Sequence, residues 1–146
     1  AVSELLMMFA SRSSHVNEVI EPMLRAGTWV LSDRFVDASY AYQGAGRQVS
    51  DEVISQLETL TCRNLKPDVT FLLDLPIAQM LERMRARSAG PDRIEVESQA
   101  FFTQVRDAYM QRAEGDPRRF VVLDATRSIA EVRQDILSVM QERFDV

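Results

Sequence analysis

Cysteine is nearly absent from this chain of 146 residues: Cys62 is the only one. An intramolecular disulfide is therefore impossible, and a reducing cytoplasm is the expected compartment. Histidine is as scarce. His15 stands alone, with no His/Cys spacing that would ligate a metal and no partner that would make it a base, so no protein-borne metal site is expected. Lysine is confined to Lys66, and arginine supplies the other basic side chains. A net charge of −5 argues against bulk affinity for nucleic acid. No apolar run is long enough to span a bilayer, and Ala1-Val2-Ser3-Glu4 carries no basic signal region, so a membrane is not an expected partner. Gly-x-x-x-x-Gly-Lys-Ser/Thr, the loop that cradles a triphosphate, occurs nowhere in the chain.

What is present reads as an α/β protein. Three short apolar runs end in an acid: Thr28-Trp29-Val30-Leu31 leading to Asp33, Val69-Thr70-Phe71-Leu72-Leu73-Asp74, and Phe120-Val121-Val122-Leu123-Asp124. Helical patterns separate them, over residues 3–26 (bent near Pro22, stopped at Gly27), about 50–64, 76–87, 95–113 and 129–144. In the first helix Leu6, Phe9, His15, Val16, Val19 and Ile20 supply much of an apolar stripe. A helical or irregular stretch follows Asp33 through Tyr42, with a turn at Gly44–Gly46. Continuous apolar strands alternating with helices predict a parallel sheet covered by helices on both faces. Nothing splits the chain, so residues 1–146 are expected to form a single domain. Asp74 and Asp124 read as structural strand-end acids, whereas Asp33, next to Arg34, reads as functional.

The segment from Ser32 to Arg47 carries the most chemistry. Ligands of open parallel sheets bind beyond the carboxyl ends of strands. Arg34 offers a planar fork suited to phosphate, although a salt bridge to Asp33 or Asp37 is an equally good reading of the residues alone. Gln43 offers both a donor and an acceptor, as a pyrimidine edge requires. Asp33-Arg34-Phe35, together with Ser39 and Ala41-Tyr42-Gln43-Gly44, resembles the Asp-Arg signature of the thymidylate kinases. That resemblance implies that Arg34 clamps the phosphate of the acceptor dTMP, that Ser39 and Gln43 read the base, and that Tyr42 packs beneath the sugar.

Leu6-Met7-Met8-Phe9-Ala10-Ser11-Arg12 is similar to the family's Leu-Leu-Phe-Ala-Ala-x-Arg. There the phenylalanine stacks on thymine and the arginine reaches its carbonyl, which assigns those roles to Phe9 and Arg12. The family's phenylalanine lies four residues before the arginine, where this chain has Met8; Phe9 lies three before. Read without the family, Phe9 is a core residue and Arg12 a solvated one. Arg83-Met84-Arg85-Ala86-Arg87 with Asp92-Arg93-Ile94-Glu95 resembles the arginine-rich lid of the bacterial enzymes. A positioned arginine stabilises the migrating phosphoryl group, and a lid can deliver it when ATP binds. Arg87 and Arg93 are nearest the intervening loop and are assigned that role; Arg83 and Arg85 join them on the ATP side. A charged surface helix is the plainer reading. Asp124-Ala125-Thr126-Arg127 resembles the family's Asp-Ala-Thr loop bordering adenine, which adds Arg127; a helix start at Thr126 or Ser128 explains it equally well.

The resemblance covers nearly the whole chain and implies the fold of a P-loop nucleoside monophosphate kinase. It implies transfer of the ATP γ-phosphate to dTMP, with Mg²⁺, in a cytoplasmic homodimer. Such an enzyme should begin with a strand and a P-loop, so the chain is expected to be its C-terminal two-thirds and inactive alone, most of the Mg²⁺ site lying outside it. A kinase for another pyrimidine nucleotide or deoxynucleoside, or a non-catalytic dimerising module, are the alternatives.

Overall fold

Leu5, Phe9, Val16 and Ile20 recur at steps of four, seven and four, which places them on one helical stripe. The computed structural model, which describes residues 2–87 and 99–145, buries all four. Each such side chain contributes about 1.5–3 kcal/mol when removed from water. The stripe differs from the expected one. Leu6 and Val19 are exposed, and so is His15. Helix α1 spans Val2–His15, a wider π-helical turn spans Val16–Ile20, and α2 spans Glu21–Arg25. The Glu21 N–H donates to the Val16 carbonyl, five residues back. Pro22 has no N–H to give the carbonyl four before it, so the helix accommodates it by widening one turn. Gly27, at φ +73°, ends the run. Its N–H donates to Leu24 O and the Thr28 N–H to Met23 O, the paired closure of a Schellman motif.

The chain divides into two compact units, Ala1–Lys66 and Pro67–Val146. In the first, residues 28–33 do not form the expected strand. They run without helix or ladder, with Val30 packed on the core and Leu31 98% exposed. A strand needs a neighbour to satisfy its backbone, and none of the described residues pairs with this one. Helix α3 (Val36–Ser39) continues directly into a second π-helical turn, Tyr40–Ala45. The expected Gly44–Gly46 turn is therefore helical through Ala45, and the chain reverses later, at Gln48, with φ +58°. Gly44 serves close approach instead: a Cβ there would lie 3.1 Å from Asp51 Oδ1 and 3.3 Å from Ile54 Cδ1. Helix α4 (Asp51–Cys62) starts where Ser50 Oγ accepts the Val53 N–H and stops at Arg63 and Asn64, both left-handed. Ile54 and Cys62 join Leu5, Phe9, Val16, Ile20 and Val36 in one core.

In the second unit β1 (Thr70–Asp74) and β2 (Phe120–Asp124) pair in parallel, from Thr70 opposite Phe120 to Asp74 opposite Asp124. Parallel neighbours require a long crossover. Here it contains α5 (Ile77–Arg87) and α6 (Gln99–Gly115). Both strands and α5 lie within a residue of the expected bounds; α6 runs two residues past its expected end, and its expected start at residue 95 lies outside the described residues. Asp74 has the structural role expected of it. Arg106 of α6 grips its carboxylate through two bonds, Nε to Oδ1 at 2.7 Å and Nη2 to Oδ2 at 2.8 Å. Asp124 folds its own loop by accepting the Thr126 N–H at 2.9 Å.

Helix α7 (Ile129–Phe144) opens with a capping box: Ser128 Oγ accepts from the Glu131 N–H, and Glu131 Oε2 accepts from the Ser128 N–H. The hydrogen bond from the Ser128 side chain leads in holding the Glu131 carboxyl below its ordinary value of 4.5. The Thr126 hydroxyl acts likewise on Asp124, whose ordinary value is 3.8. A depressed folded value stabilises the fold above the unfolded value, and the gain disappears as pH falls through the folded one. Melting temperature should therefore drop on acidification through this range, and the drop should be shallower in Glu131→Gln. An identical acid profile for that variant would remove the capping box as a cause.

Candidate acceptor site

Arg12 lies three residues after Phe9 on α1, so the two side chains share a face. The guanidinium carbon sits 4.6 Å from the Phe9 ring centroid and 5.8 Å from that of Phe35. Its Nη2 donates to the Phe35 carbonyl at 3.3 Å. Burial leads in pushing the Arg12 pKa below its ordinary value, but a guanidinium stays charged at neutral pH. Its second nitrogen, Nη1, is buried with no hydrogen-bond partner among the described residues.

Ser39 and Gln43 lie one helical turn apart, at the end of α3 and in the π turn, and both are buried, at 0% and 4% exposed. The Ser39 hydroxyl and Gln43 Oε1 are also without a partner among the described residues. An unmade hydrogen bond at a buried group costs about 1–3 kcal/mol. Arg12, Ser39 and Gln43, all singled out from the sequence, thus carry the unsatisfied buried side-chain atoms of the described residues. They offer a guanidinium donor, a hydroxyl and an amide acceptor. Gln43 Nε2 is already used, donating to Glu4 Oε1 at 3.0 Å. Neither Glu4 nor the Phe35 carbonyl is a candidate site group on the sequence alone. Glu4 precedes Gln43 by 39 residues, too far for any local pattern to join them.

Arg34 holds a left-handed backbone, φ +63°, in a turn where Ser32 Oγ donates to the Arg34 carbonyl at 2.8 Å. Its guanidinium lies 4.6 Å from the Tyr42 ring centroid, and Nη2 donates to the Tyr42 hydroxyl at 3.2 Å. Arg34 is exposed, as is Asp33. A cation held against an aromatic ring at the surface is placed to receive an anion. Phe9, by contrast, is 1% exposed: the core takes its ring, and Arg12 lies over one face. The neighbouring Met8 is half-buried.

In the second unit Arg83 Nη2 donates to the Ala125 carbonyl at 3.0 Å. Arg85 is exposed. Arg87 is the last residue of α5, while Arg93 and the loop around it lie outside the described residues. Arg127 is engaged by acids of α7, through Nη1 with Asp135 and through Nε with Glu131 at 3.6 Å.

The sequence profile of the thymidylate kinase family matches residues 1–136. The chain belongs to the thymidylate kinase family. Thymidylate kinase from Cupriavidus necator is 48% identical over 138 residues, covering 94% of this chain and 68% of that one. Thymidylate kinase from Methylococcus capsulatus is 51% identical over 134 residues, covering 92% of this chain and 64% of that one. The crystal structure of thymidylate kinase from Ehrlichia chaffeensis matches with a TM-score of 0.72 at 30% identity, covering 96% of this chain and 64% of that one. The chain thus spans about two-thirds of the length of these thymidylate kinases.

Proposed function

We propose that the protein is a dTMP kinase whose acceptor site is formed in this chain by Arg12, Arg34, Ser39, Tyr42 and Gln43. The observation that supports this best is the coincidence of Arg12, Ser39 and Gln43 with the unsatisfied buried atoms, inside a chain of the thymidylate kinase family. Arg12 Nη1 donates to a carbonyl of thymine, and Ser39 and Gln43 Oε1 meet the remaining polar edge. Phe9 acts from beneath, as the aromatic support of Arg12. Tyr42 lies against the sugar and carries Arg34, which holds the phosphate; Asp33 is the acid on this acceptor side.

An oxygen of the dTMP phosphate attacks the γ-phosphorus of ATP, the bond to the β-phosphate oxygen breaks, and dTDP and ADP leave. A phosphate monoester is mostly ionised at neutral pH, its second pKa being about 6, so the attack needs positioning and charge neutralisation more than a base. Arg87 and Arg93 supply charge to the migrating group, and Arg85 and Arg127 belong to the ATP side. Arg83 serves that side through the Ala125 carbonyl. Mg²⁺ accompanying ATP would neutralise phosphate charge, but no group of three His, Cys, Asp or Glu among the described residues is placed to hold it.

The enzyme works in the cytoplasm as a homodimer, and the exposed Leu6 and Met7 of α1 offer an apolar face to a second copy. No helix among the described residues is long and apolar enough to cross a membrane.

Calorimetric titration of the chain with dTMP, dUMP, dCMP and UMP tests the acceptor site. Selective dTMP binding is expected; a folded chain that binds none of them overturns the assignment. Tyr42 beside the sugar leaves little room for a 2′-hydroxyl, so Tyr42→Ala should narrow the preference for dUMP over UMP by roughly tenfold. An unchanged ratio removes Tyr42 from sugar selection.

A further inference from the structure

We infer that Glu4 is a positioning residue that fixes the orientation of the Gln43 amide and thereby sets the site for thymine against cytosine. This rests on the acceptor site proposed above.

An amide side chain has two ends of opposite character, and burial alone does not choose between them. Here the neighbour chooses. Glu4 Oε1 lies 3.0 Å from Gln43 Nε2. An ionised carboxylate only accepts, so the NH₂ end of Gln43 must face it. The opposite orientation would set two oxygens against each other in a site where Gln43 is buried. With the nitrogen committed, the free end is Oε1, the atom left without a partner. Gln43 therefore presents an acceptor, and Arg12 Nη1 presents a donor.

Thymine offers the complement along one edge: an N3–H that donates and an O4 that accepts. Cytosine offers the reverse, an N3 lone pair and an N4 amino group. Cytosine would fit only if Gln43 turned its nitrogen inward, which the Glu4 carboxylate opposes. Glu4 thus acts on base choice without touching the base. A site that leaves a buried polar group unpaired against the wrong ligand discriminates more sharply than one relying on shape.

Glu4→Gln tests this at nearly constant size and on an exposed residue. Glutamine both donates and accepts, so either orientation of Gln43 becomes tolerable. The ratio of dTMP to dCMP affinity, measured by titration, should fall by roughly tenfold or more. It should fall by both routes, weaker dTMP binding and stronger dCMP binding. The side-chain NH₂ resonances of Gln43 give a readout that needs no ligand: the charge-assisted bond to Glu4 should separate and protect them in the wild-type chain, and Glu4→Gln should collapse that difference. Wild-type dTMP selectivity that survives Glu4→Gln unchanged, with unperturbed Gln43 resonances, overturns the role of Glu4 alone. A folded wild-type chain that does not bind dTMP overturns the acceptor site and this inference with it.

Discussion

Arg34→Gly should lose dTMP affinity by roughly 10²–10⁴-fold while leaving the fold intact, because two hydrogen bonds to a charged phosphate are each worth about 1.5–3 kcal/mol. Glycine is the informative replacement. Arg34 sits at φ +63°, a conformation that costs a side-chain-bearing residue about 1–2 kcal/mol and costs glycine little. Removing that strain offsets the extra flexibility glycine brings to the unfolded chain, so stability should stay within about 1 kcal/mol of the original. Arg34→Lys keeps the charge but not the fork, and its affinity should fall between the two. Calorimetry for binding and urea titration for stability separate the effects. Arg34→Gly binding dTMP within a few-fold of the wild type would end the assignment of this residue to the phosphate.

Phe9→Ala should destabilise the first unit by about 3–5 kcal/mol, the cost of emptying a buried aromatic position. Small domains are stable by only about 5–15 kcal/mol, so this single change consumes a large share. Urea unfolding followed by circular dichroism measures it. Phe9→Leu refills most of the space and should recover much of the loss. It also decides between support and stacking. If Phe9 only carries Arg12 from beneath, Phe9→Leu forfeits a cation–π contact worth about 0.5–1 kcal/mol and dTMP affinity falls a few-fold. A folded Phe9→Leu chain with dTMP affinity reduced by roughly a hundredfold would show that the ring itself meets the base.

How far the sequence could be read depended on whether the deciding contact was local. The starts of α4 near Ser50 and of α7 at Thr126 or Ser128 were legible because a cap acts within one turn, and the structure caps α7 with Ser128. The apolar runs of β1 and β2 found each other and were legible as strands. Residues 28–33 carry a similar apolar run but have no strand neighbour among the described residues, and an apolar run cannot report a missing neighbour. Gly44 looked like a turn because glycine has two uses; here the approach of Asp51 and Ile54 decides. The π turns at Val16–Ile20 and Tyr40–Ala45 shift which residues face inward, so Val19 was placed on the buried stripe and emerges exposed. In the site, Arg34, Ser39, Tyr42 and Gln43 come from one short segment and were visible together. Arg12 drew its meaning from the family likeness. Glu4 depends on a contact made only after folding. Arg127, placed on the ATP side by the family likeness, is engaged by Glu131 and Asp135 of α7, contacts that the helical spacing alone makes available.

Ala125 holds two elements through its backbone alone. Its N–H donates to the Asp74 carbonyl at 2.8 Å, and its carbonyl accepts from Arg83. Neither bond involves a side-chain atom of Ala125, so serine or valine at this position would keep both. A mutational scan would therefore score position 125 as permissive, although the loop is fastened there. Only proline, which lacks the N–H, would expose the dependence directly. Tolerance to substitution at this point measures which atoms form the joint, not how much rests on it.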